Sequence, residues 1–158
     1  MLEEFSLAQA AESALLRLRD KAAKVRVTLT LDNALGPDGG RLLGIPSLME
    51  EVFYNLLDNG IKYNRAGGGV AVRIMETENK YVVSVSDTGM GIDAAELPHI
   101  FERFYRVDRS RHKAIEGTGL GLSIVKHGVI FHKGTVRVNS AVGQGTEFIL
   151  KFPKKNPY

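Results

Sequence analysis

Four runs of alternating apolar residues from Val70 onward constrain the fold of this chain more than any other feature. Val70 to Met75 and Tyr81 to Asp87 are separated by a polar turn near Glu78-Asn79, and Thr135 to Asn139 and Thr146 to Phe152 by the turn AVGQG. A period of two sends successive side chains to opposite faces, so each run reads as a strand. Upstream, Arg26 to Leu31 alternates in the same way, with Val27, Leu29 and Leu31 on one side, and Arg41 to Ile45 reads as a short strand. Helical spacing appears over residues 6–24 (Leu7, Ala11, Ala14, Leu15, Leu18, Ala22), over 46–63 behind Pro46, and over 119–132, which Lys133-Gly134 ends. The order predicts one sheet with helices layered on one face. At 158 residues the chain has the size of one domain.

Composition removes several function classes. There is no cysteine, which excludes disulfides and thiolate metal sites and fits a reducing compartment. No apolar run approaches the ~18 residues of a membrane span, and the N-terminus MLEEFSLAQ lacks a signal-peptide core. The expectation is a soluble, cytoplasmic piece. Net charge is +3, but Arg103, Arg106, Arg109, Arg111, His112 and Lys113 bunch together. Such a run is either a solvated loop or a surface that holds phosphates.

At about 100° per residue, Asn55, Asn59, Lys62, Glu51 and Asp58 share one stripe of the 46–63 helix. Met49, Phe53, Leu56 and Gly60 form a neighbouring apolar face. A polar stripe is commonly a solvated face. Asparagine is a poor mid-helix residue, however, and two of them one turn apart suggest a task. Amide oxygens ligate hard cations, and lysine neutralises phosphate.

Val83, Val85 and Asp87 share one face of their strand. If that face is the core, Asp87 is a carboxylate that needs a donor. It either caps its own turn or receives a ligand. The following DTGMGI puts Gly89 and Gly91 where backbone can approach a flat molecule. The long stretch 88–118 is rich in glycine and charge, as functional or mobile connections are. At its end GTGLGLSIVK, residues 117–126, sets three alternating glycines before a helix, an arrangement able to cradle phosphate. It is not a Walker loop, since no Gly-Lys-Ser/Thr occurs.

Together these segments resemble the catalytic and ATP-binding domain of sensor histidine kinases, in the superfamily that includes gyrase, Hsp90 and MutL ATPases. EVFYNLLDNGIKYN at 51–64 is similar to its asparagine box and DTGMGI at 87–92 to its first glycine box. FERFYRVD at 101–108 resembles its phenylalanine box, GTGLGLSIVKH at 117–127 its second glycine box, and GQGTEF at 143–148 a third. The boxes stand in the family's order. The resemblance implies an α+β two-layer sandwich, the Bergerat fold: a mixed, mostly antiparallel sheet of about five strands with three helices on one face. It implies a single domain over 1–158 with a nucleotide lid at about 93–117.

The resemblance also implies roles. Asn55 would ligate Mg²⁺, and Asn59 and Lys62 would contact the phosphates of ATP. Tyr63 would face the sugar or base, and Asp87 would accept from the adenine amino group. Gly89 and Gly91 would line the adenine slot, with Thr146 assisting at the base. Phe101, Phe104 and Tyr105 would pin the lid, and Arg106 would reach the γ-phosphate or the partner domain. Gly117, Thr118, Gly119, Leu120, Gly121 and Leu122 would complete the nucleotide contacts. The sequence departs from the family pattern at Ile45, where an acidic cap is common, at Gly60, at Gly128 within the last helix, and at Lys133.

The reaction so implied passes the γ-phosphoryl group to a histidine that is followed by an acidic residue. His99, His112, His127 and His132 precede Ile, Lys, Gly and Lys. The expectation is therefore that the phosphoacceptor dimerisation domain is absent and Met1 marks an expression boundary. The piece would be monomeric, come from a membrane-bound parent, and serve a response regulator indirectly and no nucleic acid. It would bind Mg-ATP without phosphorylating itself. Two alternatives stand beside this reading: a self-contained ATP-driven switch with Glu51 as its catalytic glutamate, and a nucleic-acid binder using the basic run.

Overall fold

Inward-facing positions of the strands are the buried ones, which fixes the sheet against a single helical layer. A computed structural model describes residues 2–105 and 121–154. Strands β1 (Glu3–Ser6), β2 (Thr28–Asn33), β3 (Arg41–Gly44), β4 (Gly69–Glu76), β5 (Lys80–Asp87), β6 (Thr135–Ser140) and β7 (Thr146–Pro153) accompany helices α1 (Leu7–Lys24), α2 (Pro46–Lys62) and α3 (Gly121–Phe131). Five strands form the main sheet in the order β2-β4-β5-β7-β6. β2 runs parallel to β4, and the remaining pairs are antiparallel. This is the α+β sandwich expected.

Val70, Val72 and Ile74 of β4, Val83 and Val85 of β5, and Phe148, Leu150 and Phe152 of β7 point into the core. They meet Met49, Phe53, Leu56 and Ile61 of α2 and Leu7, Ala11, Ala14 and Leu18 of α1. Each large side chain so buried contributes about 1.5–3 kcal/mol. Gly60 lets α2 press on the sheet: a Cβ there would lie 2.9 Å from Val70 Cγ2 and 3.4 Å from Asp87 Cβ. Gly128 does the same between helices, since a Cβ would collide with Val52 Cγ2. Both departures from the family pattern thus sit at close contacts.

Three details differ from the sequence reading. β1 is an additional strand that pairs with β3, outside the main sheet. It has four residues, too few for alternation to be visible, and Ser6 ends it by capping α1 through the Gln9 amide at 3.2 Å. β2 begins at Thr28 instead of Arg26, because Arg26 adopts φ 59° in the turn after α1. At the start of α2, Ile45 supplies no side-chain cap, as expected, but His132 does: its Nε2 accepts the Ile45 amide at 3.1 Å.

Candidate functional site

The predicted residues converge where the C-terminal half of α2, the end of β5 and the β6–β7 turn meet. Asp87 closes β5, opposite Val70 on one side and Thr146 on the other. Burial pushes its carboxyl above the usual range, while the backbone amides of Gly89 and Thr146 pull it back. The Gly89 amide donates to Oδ1 at 2.8 Å. Asp87 thus does cap its own turn. A carboxylate carries about four acceptor positions, so these two donors leave capacity for an external one.

The loop after Asp87 is tied on three sides. The Met90 amide donates to the Tyr63 carbonyl at 3.0 Å, and the Gly143 amide to the Met90 carbonyl at 2.7 Å. The Ile92 amide donates to Ser140 Oγ at 2.7 Å. Gly89 is pressed so closely on the Tyr63 carbonyl that a Cβ has no room. Gly91 has φ 75° and faces the Ala141 carbonyl at equally short range, so both its conformation and its space require glycine. Thr146 is buried, with Oγ1 2.8 Å from Ser140 Oγ.

On α2, Asn55 Nδ2 donates to the Glu51 carbonyl at 2.7 Å, which fixes the amide's orientation. Its Oδ1 would lie 2.9 Å from a Cβ at position 121. Gly121, the first residue of α3, therefore leaves Asn55 Oδ1 open space, and Leu122 follows half-buried. Asn59, half-buried one turn on, makes no side-chain hydrogen bond among the described residues. Lys62 Nζ forms an ion pair with Asp58 Oδ2 at 3.0 Å. Tyr63 ends the helix.

Other predictions fall elsewhere. Tyr105 stacks on His99 with centroids 5.5 Å apart. Phe101 packs edge-on to Phe148 at 6.3 Å, while Phe104 is exposed. Arg106, Gly117, Thr118, Gly119 and Leu120, with most of the basic run, lie outside the described residues.

The sequence reading missed the polar ties that shape the site. Asn64 Nδ2 donates to the Gly69 carbonyl at 3.0 Å, and its Oδ1 accepts from Thr88 Oγ1 at 3.1 Å. Thr88 Oγ1 in turn accepts the Gly69 amide at 2.9 Å. Asn64 and Thr88 lie inside the motifs at 51–64 and 87–92, and that position was the available signal. Ser140 gave none, standing one residue beyond the predicted strand.

Residues 44–156 match the family model described as histidine kinase-, DNA gyrase B-, and HSP90-like ATPase. Over 106 residues the chain is 42% identical to sensor protein SrrB of Staphylococcus aureus (strain NCTC 8325 / PS 47), covering 67% of this chain and 18% of SrrB. The chain thus spans less than a fifth of the length of the curated relatives it matches. The mycobacterial sensor histidine kinase MprB superposes with a TM-score of 0.80 at 28% identity, covering 97% of each chain. Full-length ShkA in complex with AMPPNP superposes with a TM-score of 0.81 at 25% identity, covering 96% of this chain and 31% of that one. With most of its length inside that family model, the chain belongs to the histidine kinase-, DNA gyrase B- and HSP90-like ATPase family.

Proposed function

We propose that this chain is the ATP-binding catalytic domain of a sensor histidine kinase. In this reading it holds Mg-ATP and donates the γ-phosphoryl group to a histidine on a partner helical dimerisation domain. A response regulator is the downstream acceptor. The observation that carries the reading is Asp87: a half-buried carboxylate, held by backbone amides, with acceptor capacity to spare. An adenine amino group is a donor of the right kind, and the glycine-lined loop 89–91 admits a flat ring beside it.

Tyr63 and Thr146 border that slot. Asn59 and Lys62 stand toward the phosphates, and Gly121 of the second glycine box faces Asn55. The residues fit Mg²⁺: Asn55 offers an oriented amide oxygen, a hard ligand suited to that ion. When bound, Mg²⁺ supplies charge neutralisation for the phosphates. This chain's residues bind and orient the nucleotide, and such positioning is most of what phosphoryl transfer requires. Arg106 and the segment 93–117 are proposed to close over the γ-phosphate. Glu51 is salt-bridged to Arg17 at 3.0 Å, which counts against a general-base role for it in a self-contained ATPase.

Isothermal titration with ATP, with and without Mg²⁺, tests the reading, followed by transfer of labelled γ-phosphate to a separately supplied dimerisation domain. Magnesium-dependent ATP binding with no label retained on this chain alone is expected. Absence of ATP binding, or stable label on the chain itself, overturns it.

A further inference from the structure

Asp58 lies one turn before Lys62 on α2, with its side chain only 12% exposed. Each carboxylate oxygen holds a different lysine. Lys62 Nζ forms an ion pair with Oδ2 at 3.0 Å, and Lys21 Nζ, reaching across from α1, donates to Oδ1 at 2.6 Å. A carboxylate withdrawn from water requires a compensating charge. One lysine meets that requirement, so the second is in excess of it. The two are not equivalent: the Lys62 side chain is 21% exposed and lies on the stripe with Asn55 and Asn59, whereas Lys21 is 45% exposed on the neighbouring helix.

We propose that Lys21 is a positioning residue for nucleotide binding, keeping Asp58 compensated when Lys62 leaves it for the phosphates. The proposal rests on the reading of α2 as the phosphate-contacting helix. Without Lys21, Asp58 and the polyphosphate compete for one cation. With Lys21 in place, Lys62 exchanges one anionic partner for another and no buried charge is stranded. Asp58 meanwhile holds the Lys62 side chain along α2 before the nucleotide arrives. Helix α1, which carries none of the residues assigned to the nucleotide, becomes part of the site's electrostatics.

Mg-ATP and adenosine affinities of the whole chain, measured for wild type, Lys21→Met, Lys21→Arg, Asp58→Asn and the double variant Lys21→Met/Asp58→Asn, test this. Lys21→Met is expected to weaken Mg-ATP binding about tenfold and leave adenosine unchanged. Lys21→Arg keeps the charge and retains affinity. In the Asp58→Asn background, Lys21→Met has no further effect, because no carboxylate is left to compensate. An unchanged Mg-ATP affinity in Lys21→Met overturns the proposal. So does an equal loss in both backgrounds, which means that Lys21 attracts the polyphosphate directly. So does an equal loss for adenosine, which means a structural defect. Failure of the wild type to bind Mg-ATP refutes the nucleotide reading itself and is recognised before any variant is compared.

Discussion

His132 Nε2 accepts the backbone amide of Ile45 at 3.1 Å, joining residues 87 positions apart. Its Nδ1 is 2.7 Å from the Gly128 carbonyl. Nδ1 must donate and Nε2 must accept, so the ring is neutral with its proton on Nδ1. Burial, against Phe5 and Phe131, holds its pKa below the ordinary value, with the Gly128 bond acting in the opposite sense. The helix that carries the site's asparagines is thereby capped from the end of α3.

Stability should therefore fall on mild acidification. The folded chain resists a proton that the unfolded chain takes up near pH 6.5. The contribution is complete above that pH and is lost as pH falls through the depressed folded value. Urea unfolding at pH 7.5 and 5.5 should show a larger loss for wild type than for His132→Gln, which cannot titrate. Parallel losses would exclude His132 as the group responsible.

Asp87→Asn should separate stability from binding. A folded pKa above the unfolded value stabilises only while the carboxyl is protonated, and the effect is lost as pH rises through the folded value. The ionised group thus works against the nucleotide-free fold, and the amide removes that cost. Denaturation should find the variant no less stable than wild type. Calorimetry should find ATP binding weakened by about 1.5–3 kcal/mol, the worth of a charge-assisted hydrogen bond. Retained affinity would dismiss Asp87 as the adenine acceptor.

Gly121→Ala should disturb Asn55 and little else. The new methyl would lie 2.9 Å from Asn55 Oδ1, the free end of a side chain that can move aside. Alanine favours a helix by up to about 1 kcal/mol over glycine, so the melting temperature should hold or rise. The magnesium-dependent part of ATP affinity should fall roughly tenfold, as when a metal ligand loses its setting. An unaltered magnesium dependence would remove Asn55 from the proposed metal site.

Gly128→Ala should destabilise the α2–α3 contact. The methyl would overlap Val52 Cγ2, and overpacking costs about 1–3 kcal/mol, against up to about 1 kcal/mol gained in helix propensity. Urea unfolding should show the net loss, and Val52→Ala in the same chain should recover part of it. An increase in stability would show that the helices can separate freely.

What the sequence disclosed was local. Alternation over eight-residue strands revealed β4, β5 and β7, and a 3.6-residue period placed Asn55, Asn59 and Lys62 on one stripe. The alternation of β5 placed Asp87 on the same face as Val83 and Val85, and there it accepts the Gly89 amide. What stayed hidden was set by contacts between distant segments. Lys21 meets Asp58 only once α1 packs on α2, and His132 finds Ile45 only once α3 is docked. Glu3 to Ser6 is too short to announce itself as a strand and exists because β3 pairs with it. Lys133, a departure that looked unfavourable, takes φ 63° in the turn after α3, where glycine is more at ease.

The polar wall around Asp87 is closed from the far end of the chain: Gly143 binds Met90, Ser140 binds Ile92, and Thr146 pairs with Asp87 along the ladder. A ribosome delivers these residues after α2 and β5. While a nascent chain has emerged only through α2 and β5, its first glycine box is tied to Tyr63 but not yet to Ser140 or Gly143, and the proposed adenine slot has one side missing. In the proposed reading, a nucleotide meets a complete slot only once synthesis has passed the final hairpin.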